Sequence, residues 1–202
     1  MPERHEPKFV LKELLSTRSP DPEHLARELD RLTHAERVLA LQGMERAQFS
    51  LLYAAVDGFV PMTLGDLVPE AARPLQAVRH IGRNSLPLFS SFEKRFYRLT
   101  NQAAVGGANF QSTSAFTGPG YFTALPTAER AEVVIDYNQI PNAAPDGWPA
   151  LADNRHGIGR LVYGGMIDTL RRVSSHVSIG AAQKPGQPPS AYFVLCRMPE
   201  AA

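Results

Sequence analysis

A small set of side chains in this sequence has the types and spacing for chemistry on a small molecule. Asp136 lies inside VVIDY, a run otherwise made of strong β-formers. A carboxylate enclosed on both faces there would need a cationic or histidine partner, and it could serve as a general base or orient one. His176, in SSHVSIG, is the residue type that moves protons near neutral pH. Ser178 shares its strand face, so a Ser/His/Asp set can be written from Ser178, His176 and Asp136. The set is weak, because Ser178 is on no G-x-S-x-G elbow and neighbouring same-face positions of one strand give poor in-line geometry.

Glu93, Arg95 and Tyr97 alternate along FEKRFYR and share one strand face, with consecutive positions roughly 7 Å apart. They suit bracketing a polar ligand group, the arginine holding a carboxylate or phosphate; the plain alternative is an exposed face whose ion pair is worth little. Phe92, Lys94 and Phe96 take the opposite face, which reads as the core side. That makes a functional reading of Glu93, Arg95 and Tyr97 harder to sustain, unless the sheet curves round a cavity. Arg160 and Tyr163, in GRLVYGG, complete the expected polar lining, so the nominated site has Asp136 and His176 as catalytic candidates and Glu93, Arg95, Tyr97, Arg160 and Tyr163 as ligand-binding candidates.

Several chemistries find no support. NRHGIGRL at 154–161 holds a G-x-G but lacks the third glycine and the preceding strand of a dinucleotide loop. Asn154, Arg155 and His156 at a helix start could hold an anion, although capping explains the asparagine. Six histidines form no H-x-x-x-H or H-E-x-x-H spacing, and one cysteine rules out zinc ribbons and iron–sulfur clusters built from a single chain. No metal or cofactor is expected. Cys196 sits in an apolar run and reads as a small buried hydrophobe. The net charge of +1 gives no field to steer nucleic acid. LLYAAV is too short to cross a bilayer, and the charged N-terminus has no signal-peptide core, so a soluble, cytoplasmic protein is expected.

The elements that must position these residues follow from pattern. Asp21 and Pro22 start a helix carrying Leu25, Leu29 and Leu32, and Thr33-His-Ala-Glu36 is a capping box opening a second helix with Val38, Leu41, Leu52 and Ala55 inward and Gly58 as its stop. Residues 57–85 read as turn, short helix and loop, interrupted by Pro61, Pro69 and Pro74. Strands are expected over 86–98, 120–125, 131–137, 175–182 and 191–197, and 138–153 as a long proline-punctuated loop, a candidate lid. Ile158, Leu161, Val162, Met166, Leu170 and Val173 suggest an amphipathic helix over 155–173, with Gly164 and Gly165 as a costly pair inside it.

These elements make a single α+β domain over 1–202, with a helical part at 1–60 and a sheet-plus-helix part at 86–202. A curved antiparallel sheet packed against helix 155–173 resembles the layout of helix-grip ligand-binding proteins, a likeness of arrangement and not of motifs. The expected function is small-molecule binding in a pocket between that sheet and that helix. A second hypothesis is a cofactor-independent proton-transfer enzyme (isomerase, dehydratase or cyclase) in the same pocket; a buried acid/base pair at the pocket floor would favour it, and an apolar floor would favour a carrier. A third is an interaction module whose N-terminal helices dock a protein or pair as a homodimer, for which an exposed leucine stripe over 25–55 would speak. Neither nucleic acid nor membrane is expected as a partner.

Overall fold

The structure, a computed structural model, describes residues 6–87, 90–100, 103–110, 120–127, 130–152 and 164–199. Its sheet is a closed barrel of eight antiparallel strands: Val78–Asn84 (β1), Ser91–Arg98 (β2), Val105–Phe110 (β3), Tyr121–Pro126 (β4), Val133–Asp136 (β5), Ile167–Arg172 (β6), Val177–Gln183 (β7) and Ala191–Arg197 (β8). Each strand pairs with the next in sequence, and β8 returns to pair with β1, Ile81 opposite Cys196. Closure removes every sheet edge.

This overturns the α+β, helix-grip-like expectation. Residues 167–172 are β6, so no helix runs over 155–173; residues 153–163, with the rest of that expected helix, lie outside the described residues. The physical cause is a coincidence of periods. Met166, Leu170 and Val173 fit a helical stripe, yet IDTLRR also alternates, with Asp168, Leu170 and Arg172 on one face and Ile167, Thr169 and Arg171 on the other. The β-branched Ile167 and Thr169 favour the strand. Gly165 adopts a positive φ of 72°, which suits a turn entering β6 and not a helix interior. Besides β6, two further strands are not anticipated, β1 inside the proline-rich 57–85 and β3 inside the uncharged tract 99–128. β3 reads VGGANF, and its two glycines hide the alternation.

The N-terminal elements are short helices on the outside of the barrel: Pro7–Phe9 (a single 3-10 turn), Val10–Leu14 (α1), Pro22–Arg31 (α2), His34–Gln42 (α3), Arg46–Ala55 (α4) and Leu64–Leu67 (α5). Asp21 caps α2 through the Glu23 N–H, and the Thr33/Glu36 capping box opens α3. The expected single helix from 33 to 58 is two, because a second capping box of Glu45 and Gln48 restarts the chain at α4. Leu25, Leu29, Leu41 and Leu52 are buried with Val177, Ile179, Val194 and Cys196 of the outward faces of β7 and β8. Those two strands are therefore covered on both faces, which explains their near-continuous apolar runs. The leucine stripe faces the barrel, leaving only Leu39 and Leu51 exposed on α3 and α4. Arg171, on the outer face of β6, ties the layers together: it donates to Glu132 Oε1 at 2.7 Å and to the Tyr53 carbonyl at 2.8 Å, and meets Asp57 at 2.8 Å.

Candidate functional site at the barrel mouth

Inside the barrel the register places Lys94 of β2 between His80 of β1 and Asn109 of β3. On the far wall Asp168 of β6 lies between Ile135 of β5 and Ala182 of β7. All of these point inward, because period-two alternation puts Phe92, Lys94 and Phe96 on one face of β2 and Glu93, Arg95 and Tyr97 on the other.

The two ends of this interior differ. One end is plugged by α5 and its flanks. Met62, Leu67 and Val68 join the interior core. His80 Nε2 donates to the Leu67 carbonyl at 2.9 Å, and Arg197 donates to the carbonyls of Gly65 and Asp66 at 3.2 and 3.0 Å. At the other end a cavity of about 290 Å³ opens, its walls including Phe92, Phe193, Met166 and Ala182 and its floor being Lys94, Asn109, Tyr137 and Asp168. That volume is near the lower end of small-molecule sites, ~300–1,000 Å³.

Small residues make room for the aromatic walls. Above Gly180 lies the Phe193 ring, with one carbon 2.3 Å from where a Cβ would stand; above Gly82 lies Phe92, at 2.6 Å. Any side chain at either position would push a wall ring aside.

The floor is a closed polar cluster. Lys94 Nζ donates to Asn109 Oδ1 at 2.9 Å and to the Tyr137 hydroxyl, and lies 3.2 Å from Asp168 Oδ2. Tyr137 donates to Asp168 Oδ2 at 3.1 Å and accepts from Asn109 Nδ2 at 3.1 Å. Both charged side chains are 3% exposed. Four rings surround the ammonium, with centroids of Phe122, Tyr137, Phe193 and Phe92 at 4.9, 5.0, 5.0 and 5.8 Å. Burial pulls the Lys94 amine below the ordinary lysine range against the opposing pull of Asp168. Burial likewise raises the Asp168 carboxyl, against Lys94 and Tyr137. The two shifts bring the proton affinities of the amine and the carboxyl closer together. Asp168 Oδ1 is buried with no hydrogen-bond partner among the described residues, and Asp168 lines the cavity.

The residues nominated from sequence are placed differently. Asp136 is on the outer face at the mouth end of β5, where it accepts from Asn138 N and Nδ2, each at 2.8 Å, and from Gln139 Nε2 at 2.9 Å, shaping the turn beyond Tyr137. His176 occupies the β6–β7 turn at the plugged end. Burial, then Arg37 and Arg197, hold its imidazole below the usual range. Asp136 pairs with Ile167 at the start of β6 and His176 follows its end, so the two are separated by the length of a strand, ~20 Å at 3.3 Å per residue. The structure does not bring them together. Ser178 does not share the His176 face, since His176 precedes β7 in a turn.

Glu93 and Arg95 face outward. Arg79 grips Glu93 through both carboxylate oxygens at 2.8 Å, and Arg95 donates to it as well. Burial alone would raise the Glu93 carboxyl, but the two arginines outweigh it and hold it low. Tyr97, also outward, donates to the Ala143 carbonyl at 2.7 Å and meets Trp148 edge-on, while Tyr121 donates to the Pro149 carbonyl at 2.6 Å. The 138–152 loop, expected as a lid, is in this way strapped to the barrel's outer wall. Arg160 and Tyr163 lie outside the described residues. Lys94, Asn109, Tyr137 and Asp168 were not nominated. The signal was present in one of them: a lysine between two phenylalanines on a core-facing strand.

A larger groove of about 550 Å³ runs between α1 and α2, lined by Val10, Leu14, Leu25 and the carboxylates Glu13, Asp21 and Glu28. Asp21 is engaged in capping and Glu28 in an ion pair with Arg31, and no buried polar group converges there. The buried polar cluster makes the barrel mouth the candidate site. Among the described residues no group of side chains could hold a metal ion, and no helix is long and apolar enough to cross a membrane. Cys196 is buried beneath the helices and its thiol is pushed up to about 11 by that burial.

The fold and site together define a class: an eight-stranded up-and-down barrel, plugged at one end and, among the described residues, hollow at the other, an architecture compatible with holding one small molecule. Comparison with protein-family models, with curated proteins and with solved structures gives no match.

Proposed function

We propose that this protein binds a small, mostly apolar molecule in the barrel mouth and fixes one polar group of it on the floor of Lys94, Asn109, Tyr137 and Asp168. The observation that carries this reading is a hydrogen-bonded polar cluster at the bottom of an apolar, open cavity. A barrel needing only a core would gain stability from well-packed apolar residues in place of a buried ion pair, so the pair's presence at the end that the described residues leave open favours a role in recognition. Lipocalins use the same general architecture for single ligands, an analogy of shape alone.

A second reading is a cofactor-independent enzyme acting on the bound molecule. It is favoured by the acid/base pair of Lys94 and Asp168 at 3.2 Å on the cavity floor, where an apolar floor would suit a carrier. In this reading the Lys94 amine is the base, and the Tyr137 hydroxyl stabilises developing negative charge on a substrate oxygen.

Native mass spectrometry of the purified protein, wild type beside Ala182→Phe, tests the binding site. Ala182 lines the cavity, so the larger side chain fills it. A small molecule retained by the wild type and lost in the folded variant supports the reading; equal retention by both places the ligand elsewhere and refutes it.

A further inference from the structure

We propose that the ligand is a carbonyl compound, an aldehyde or ketone with an apolar body, and that Lys94 captures it covalently as an imine. This rests on the barrel mouth being the ligand site, and goes beyond it by naming the ligand's chemical class and the bond it forms.

Residue choice is the first argument. The chain has seventeen arginines and four lysines, Lys8, Lys12, Lys94 and Lys184. Lys8, Lys12 and Lys184 are exposed, and Lys94 alone is enclosed. Arginine is the better donor for a permanent buried ion pair, whereas lysine can give up its proton and attack carbon. Every cation that pairs with the carboxylates Glu93 and Glu132 is an arginine. The position facing the cavity is the exception.

Charge is the second. An anionic head group would meet not a free cation but an ammonium already neutralised by Asp168, with the unpartnered Asp168 Oδ1 beside it. A carboxylate ligand therefore finds no net attraction there. A neutral carbonyl oxygen suits the floor, since it can accept from Nζ or from the Tyr137 hydroxyl in exchange for a hydrogen bond now made within the cluster. After addition it becomes a hydroxyl that can donate to Asp168 Oδ1, the atom left without a partner.

The step balances without any added reagent. Lys94 passes one ammonium proton to Asp168, leaving a neutral amine and a carboxylic acid. The nitrogen lone pair attacks the carbonyl carbon, a C–N bond forms, and the C=O π pair moves to oxygen, which takes a proton as the nitrogen loses one. Asp168 returns its proton to the resulting hydroxyl. Water leaves as the nitrogen lone pair closes a C=N bond. An ammonium and a carbonyl have become a protonated imine and one water, with the Asp168 carboxylate restored. The product is still a cation in the same place, so the four surrounding rings and Asp168 hold it as they held the ammonium.

The test uses 2-naphthaldehyde, a flat aromatic probe matched to the phenylalanine walls, with sodium cyanoborohydride to reduce any imine to a stable amine, followed by peptide mapping of the wild-type protein. The expected result is one naphthylmethyl group on the peptide carrying Lys94, formed at least ten times faster than on Lys8, Lys12 or Lys184. Protection of Lys94 by 2-naphthalenemethanol, which has the same body but cannot form an imine, is expected to slow labelling at that site only. Labelling confined to the three exposed lysines, while probe fluorescence shows saturable binding blocked by Ala182→Phe, overturns the imine and leaves the pocket reading intact. No saturable binding and no label on Lys94 overturns both.

Discussion

The two ends of the barrel interior handle buried polar groups in opposite ways. At the plugged end, His80 and Arg197 give their hydrogens to backbone carbonyls of α5 and its flanks. These are fixed acceptors, and the side chains serve to seal the barrel. At the mouth, Lys94, Asn109, Tyr137 and Asp168 bond chiefly to one another, and among the described residues each end keeps one buried polar atom without a partner, Asp168 Oδ1 at the mouth and His80 Nδ1 at the plug. On the proposed reading, the difference separates a structural use of buried polarity from a functional one. A side chain bonded to backbone has one arrangement, whereas a cluster of side chains holding a transferable proton beside an empty space can exchange partners with a ligand.

The largest effect expected from breaking this contrast is at the mouth. Asp168→Ala leaves an unpaired lysine in an apolar barrel and is expected to cost ~3–5 kcal/mol in chemical denaturation. The double change Lys94→Met with Asp168→Leu removes both charges and is expected to restore stability to at least the wild-type value while abolishing retention of the ligand. A double variant as unstable as the single one would mean that the pair serves the fold.

At the plugged end the expected effect depends on pH. Burial lowers the His80 pKa to about 4 from 6.5, partly offset by its bond to Leu67. The imidazole is then neutral in the folded barrel while the unfolded chain protonates below pH 6.5. Stability from this group is complete above pH 6.5 and is lost as pH falls toward 4, by on the order of 3 kcal/mol. Denaturation midpoints measured across that window check the sign, and His80→Gln is expected to flatten the slope. Ligand retention at the mouth should not follow His80.

A smaller effect is expected from crowding a wall. Gly180→Ala forces the Phe193 ring away from β7, at a cost of ~1–3 kcal/mol, and should weaken ligand retention because that ring lines the cavity. The smallest is on the outer wall. Glu93→Gln removes a partly exposed ion-pair centre and is expected to change stability by at most ~1 kcal/mol, with ligand retention unchanged.

Strand β2 shows how much of this was legible. Its alternation was readable, and so was the core-facing side with Phe92, Lys94 and Phe96. What alternation along one strand cannot convey is closure, because whether that face meets a second layer or a hollow depends on pairings as distant as β1 with β8. The helix caps at Asp21 and Thr33 were legible because they are local, and β7 and β8 because their apolar runs are long. β6 was hidden by a spacing that satisfies two periods at once. Asn109 and Tyr137 could not be joined to Lys94 from sequence, since barrel register alone brings together residues 15 and 43 positions away.

The most direct measurement is chemical-shift mapping of the labelled protein titrated with 2-naphthalenemethanol. The expected result is a saturable set of shifts at Phe92, Lys94, Tyr137, Asp168 and Phe193, with His80 and Arg197 unmoved. Shifts centred on the α1–α2 groove or on the plugged end, with the Lys94 cluster silent, would contradict the barrel mouth as the ligand site.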